Sequence, residues 1–275
     1  MKLFDRIGEL FSGQSISSGH LAGYVRLGDQ VYEVEVELAN ASNPRARALL
    51  RAAKSLQTMG DALLRDVSGD SRMLRQVPAI TRQQAEAWYG RIPDLLVAAR
   101  QEASFAGGAR VQLPVGFGVK YDMHGMCPIG HLAGMRRAAD EMENLVNGDM
   151  MNARSQGETY KNVIILFEEA RTRRQCGDAI VGSILDGQKL PPRSHEDAEK
   201  HYWVALEDYL LMAQALEVPA LADKRPEVSE EKSGLDTYDA VEEAAYGRRP
   251  VRGAGGGIPE TPWGSRRGGG WGGCC

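Results

Sequence analysis

Apolar residues recur three and four apart through five long stretches of this chain, a spacing that suits a helix with one buried face. The first opens at Asn43-Pro44, a capping side chain followed by a first-turn proline, and runs through Leu49, Leu56 and Leu63 to Val67. Thr81-Arg82-Gln83-Gln84 reads as a capping box for the second, with Trp88, Ile92 and Leu96 inward and Pro93 predicting a kink. The third spans about Pro128 to Val146, and the fourth roughly Glu158 to Cys176, where Gly177 interrupts it. Ser194, with Asp197 three residues later, caps the fifth, which carries Ala198, Tyr202, Tyr209, Met212 and Leu216.

Period two appears twice. Tyr32, Val34, Val36 and Leu38 alternate with Glu33, Glu35 and Glu37, and Gly28-Asp29 suits a two-residue turn. Pairing back across that turn sets Val25 against Tyr32 and Leu21 against Val36, so residues 21–38 predict a β-hairpin. Val111, Leu113, Val115, Phe117, Val119 and Tyr121 predict a third strand, an edge or bulged one because of Pro114. The expected fold class is α+β, mostly α: a small antiparallel sheet covered by about five long helices. Residues 1–19 read as an amphipathic helix (Leu3, Ile7, Leu10, Phe11) and a linker, residues 20–220 as one domain, and residues 221–275 as a tail. That tail is acidic as far as Ala245 and rich in arginine and glycine beyond it, with too little apolar surface to offset its ordering entropy, so it predicts disorder.

The chain has 275 residues, 43% hydrophobic and 25% charged, with a formal net charge of −4, which is an ordinary globular balance. No run of about 18 apolar residues is present to span a membrane, and charges break the apolar residues of the start, unlike a secretory signal. The four cysteines, Cys127, Cys176, Cys274 and Cys275, show no framework spacing, which predicts reduced thiols and a cytoplasmic setting.

The densest chemical cluster is Met123-His124-Gly125-Met126-Cys127-Pro128-Ile129-Gly130-His131. A thiolate and two imidazoles so close together predict a zinc or copper site on His124, Cys127 and His131, with Cys176 a further candidate ligand. Cys127, His131 and Met135 also resemble the Cys–His–Met ligand loop of cupredoxins, the blue copper proteins. That resemblance implies copper held by the Cys127 thiolate and the His131 imidazole, with Met135 as axial ligand. A cupredoxin loop joins two strands, however, whereas Leu132 to Val146 carries a helical pattern. The structural alternative is that Cys127 and Met126 fill core space and His131 packs in the first turns of a helix.

His195 and His201 lie six apart, about 120° around a helix, so they do not share one ion. His201 is expected at a surface or interface. The adjacent pairs Asp140-Glu141, Glu168-Glu169 and Glu207-Asp208 read as solvated faces rather than opposed catalytic carboxyls. Walker A, nucleophile-elbow, Rossmann and paired Glu-x-x-His patterns are missing.

In the tail, Arg266, Arg267 and Trp271 combine phosphate-binding charge with a stacking ring, a pattern suited to single-stranded nucleic acid. Cys274-Cys275 resembles the geranylgeranyl acceptor of Rab-type small GTPases, which implies a lipid anchor working with the N-terminal apolar face. The leading expectation from these residues is a non-enzymatic scaffold, adaptor or assembly protein that binds a protein partner or itself. Metal binding, and membrane or nucleic-acid binding through the termini, stand as its rivals.

Overall fold

The computed structural model describes residues 18–65, 77–104, 112–117, 127–153 and 160–224. Residues 1–17, His124, and the tail positions Arg266, Arg267, Trp271, Cys274 and Cys275 lie outside them. The described residues form six helices: α1 (Ser18–Glu37), α2 (Pro44–Leu63), α3 (Ala79–Ala103), α4 (Ile129–Ala153), α5 (Lys161–Leu185) and α6 (Ser194–Ala215). A 3-10 turn follows at Pro219–Leu221. No strand occurs among the described residues, so the α+β expectation is corrected to an all-helical one. No helix among them is long and apolar enough to cross a membrane.

The predicted hairpin 21–38 is α1. Its alternating valines and glutamates also satisfy a helical period once Val31 is counted, because Val31, Val34 and Leu38 then share one face. Those three are buried, while Tyr32 and Val36, which a strand would have placed beside Val34, are 66% and 58% exposed. Gly28 makes no turn. It lies inside α1, where a Cβ would stand 2.7 Å from the Gln57 side-chain nitrogen. Packing against α2 and α3 overrides the β-branched preference of the valines, which is worth a fraction of a kcal/mol per residue.

The predicted strand 111–121 is corrected where it is described: residues 112–117 are irregular and non-helical. With α1 helical, this segment has no described strand to pair with, and side chains take over the role of a ladder. Gln214 Nε2 donates to the Pro114 carbonyl (2.6 Å), Arg91 donates to Gly116 O (3.2 Å), and Phe117 N–H donates to Glu207 (3.0 Å). Phe117 packs between Trp88 and Trp203, with centroid distances of 5.3 and 4.9 Å.

α2 follows its signals, with the Asn43 side chain accepting from Arg45 N–H at 2.9 Å. Gly60 lets Tyr89 of α3 lie against α2, since a Cβ there would meet the ring at 2.6 Å; the Tyr89 hydroxyl then donates to Asp61. Other expected details shift. α3 starts before Thr81 and runs through Pro93, and α5 runs through Gly177. α6 is preceded by Arg193 at φ 75, and the Ser194 hydroxyl donates back to the Pro191 carbonyl.

α6 is the hub, buried on every side from His201 to Leu216 and packed against α2, α4 and α5. Two of its tyrosines reach a charged seam: Tyr202 donates to Asp178 (2.7 Å) and Tyr209 to Glu143 (3.0 Å), with Arg174 bridging Asp140, Glu143 and Asp178. A pair of truncations separates the helical register of α1 from a strand register. Val34→Ala is expected to lower unfolding free energy in urea by about 2 kcal/mol, and Tyr32→Ala by less than about 0.5 kcal/mol. Equal losses at both positions would contradict the helix.

Candidate metal centre

Three helix starts meet at one end of the bundle. Cys127 lies two residues before α4, and His131 occupies its first turn, with its own N–H bonded to the Pro128 carbonyl. Thr81 lies in the first turn of α3, and Glu199 in the second turn of α6. Helical period puts His195 one turn before Glu199 on the same side of α6, while Cys127 stands four residues before His131, just outside α4.

The Cys127 sulfur, an imidazole nitrogen of His131 and a carboxylate oxygen of Glu199 all lie within 4.8 Å of one another. Each of the three residues is about 1% exposed. His131 Nε2 faces Glu199 Oε1 at 3.3 Å, and its Nδ1 is 2.9 Å from the Thr81 hydroxyl. A carboxylate at Nε2 favours the tautomer protonated there, so Thr81 donates to Nδ1. The thiol of Cys127 is hydrogen-bonded to Glu199, and burial, followed by the charges of Glu199 and Glu196, pushes it far above the ordinary thiol range. Such surroundings favour the protonated thiol over the thiolate. A carboxylate removed from water this completely costs several kcal/mol unless it is partnered, and Cys127 and His131 supply partners.

Of the predicted ligand set, the structure brings Cys127 and His131 together, and His124 lies outside the described residues. Cys176 is buried, forms no disulfide and does not belong to the cluster. Cys127 leads into a helix that carries both His131 and Met135, which departs from the strand-to-strand loop of cupredoxins. Glu199 escaped the sequence reading, although the His-x-x-x-Glu spacing from His195 to Glu199 mirrors Cys127-x-x-x-His131. His201, expected at a surface or interface, is buried within the chain, and so are Glu207 and Asp208, expected in water. Burial raises the Glu207 carboxyl above its ordinary range, an effect opposed by the Phe117 N–H and the nearby Arg91.

Replacing Thr81 with Val is expected to strand the His131 Nδ1 without a partner in a dry site. Chemical denaturation should then read a loss of about 1–3 kcal/mol, and no loss would mean the hydroxyl bond is dispensable. Comparison of the chain with protein-family models, with curated proteins and with solved structures returned no match.

Proposed function

We propose that the protein binds one zinc ion through Cys127, His131 and Glu199. The convergence of those three ligand atoms in a dry core is the observation that supports the reading. Zinc–ligand bonds of about 2.0–2.3 Å place ligand atoms roughly 3.2–3.8 Å apart, so the side chains need only close in on a common centre. The set of one thiolate, one imidazole and one carboxylate suits zinc. The hard carboxylate disfavours copper(I), and a blue copper site takes a second imidazole in its place.

Binding takes the proton from the Cys127 thiol and releases it, while the Glu199 carboxylate offsets the ion's charge. His131 then presents an unprotonated Nε2 and donates from Nδ1 to Thr81, whose hydroxyl can accept as well as donate. Held this way, the ion ties the start of α4 to α6. A reducing compartment such as the cytoplasm keeps Cys127 and Cys176 as thiols.

Elemental analysis of purified protein should give one zinc per chain for the wild type and none for Cys127→Ser. Zinc at 100 times its dissociation constant should add about 2.7 kcal/mol to wild-type stability and nothing to the variant. A wild type that neither retains zinc nor gains stability from it removes the reading.

A second reading, self-association, has its own observation. Tyr32 and Val36 stay exposed one turn apart on α1, flanked by exposed Arg26, Asp29 and Glu33. An antiparallel two-fold pairing of α1 with a second copy, centred between Tyr32 and Val36, would bury both apolar side chains. Sedimentation should show a dimer that Tyr32→Ser with Val36→Ser dissociates. A wild-type monomer at tens of micromolar rules this out.

A further inference from the structure

Three protein ligands leave a zinc ion one position short of the four that a closed structural site uses. The strongest unassigned group beside the cluster is His195. Its Nδ1 lies 2.9 Å from the backbone carbonyl oxygen of Cys127. A carbonyl only accepts, so Nδ1 carries the proton. Neutral His195 is therefore held as the tautomer whose lone pair sits on Nε2. Metal-ligating histidines commonly show this arrangement, with one ring nitrogen bound to the ion and the other donating to a backbone carbonyl or carboxylate.

The placement of His195 agrees. It is one helical turn before Glu199 on α6, against the backbone of the thiol ligand. It is half-buried and lines a solvent-open cleft with Ile184, Leu190, Pro191 and Glu196, whereas Cys127, His131 and Glu199 are shut away from solvent. The competing oxygen donor, Glu196, is engaged by Arg193 at 3.3 Å.

We propose that His195 supplies the fourth zinc ligand through Nε2, closing the coordination sphere as the ring moves from the cleft wall toward the ion. This rests on the zinc reading above and sharpens it. A sphere completed by His195 makes the ion a structural staple, whereas a water in its place would leave an open, catalytic type of position.

Cobalt(II) bound in place of zinc to the full chain tests this, because its visible absorption reports coordination number and thiolate ligation. The wild type is expected to take one cobalt with intense bands of four-coordinate, thiolate-bound metal. His195→Ala should bind at least about tenfold more weakly, with a spectrum altered by a replacing water, and added imidazole should restore the wild-type bands. His195→Gln, checked for fold by circular dichroism, should repeat the loss. Identical affinity and spectrum in wild type and His195→Ala overturns the assignment of His195 and leaves the three-ligand reading standing. The same loss in Glu196→Gln but not in His195→Ala also overturns it, in favour of the carboxylate. No cobalt bound by the wild type overturns the zinc reading and this one together.

Discussion

A helix covered on every side by other elements has no wet face on which to leave a polar group. From His201 onward α6 is such a helix, and much of the structure is arranged around that constraint. Its apolar residues meet α2, α4 and α5, while each polar residue must find a partner inside the bundle. Tyr202 and Tyr209 reach carboxylates at the Arg174 seam, Gln214 and Glu207 bind the backbone of residues 112–117, and Glu199 meets Cys127 and His131. The irregular segment, the charged seam and the candidate metal centre are three answers to the same requirement.

The candidate centre also owes its form to where helices begin. α3, α4 and α6 each bring a first or second turn to one end of the bundle, and Thr81, His131 and Glu199 come from those turns. Thr81 illustrates the exchange. Its sequence context suits a cap, yet the helix starts earlier and the hydroxyl is spent on His131, orienting the ring that faces Glu199. Zinc, on our reading, would use the hydrogen-bonded cluster already there, at the expense of one thiol proton.

Legibility differed by element. The stretches with a sustained three-and-four period and strong punctuation, above all Asn43-Pro44 into α2, were readable because the period and the cap agree and the packing rewards both. Residues 32–38 misled because a short run of alternating valine and glutamate fits two periods, and only the neighbour decides between them. A sheet needs a partner strand, and the described residues contain none, so α2 and α3 select Val31, Val34 and Leu38 as the buried face. Cys127 and His131 were legible as a local pair. Glu199 was not, since nothing within the chain's local order says that a carboxylate about seventy residues on will close the same cluster.

Local chemistry alone thus determined the major helices of the body, the start of α2, and the pairing of a thiol with an imidazole four residues away. Those features depend on propensity, capping and period, which act over a few residues. Tertiary structure alone decided that α1 is helical, that His201, Glu207 and Asp208 are dry, and that Glu199, with His195 beside it, joins Cys127 and His131. Burial and hydrogen-bond satisfaction are set by whichever element lies across the interface, and that element is distant in sequence.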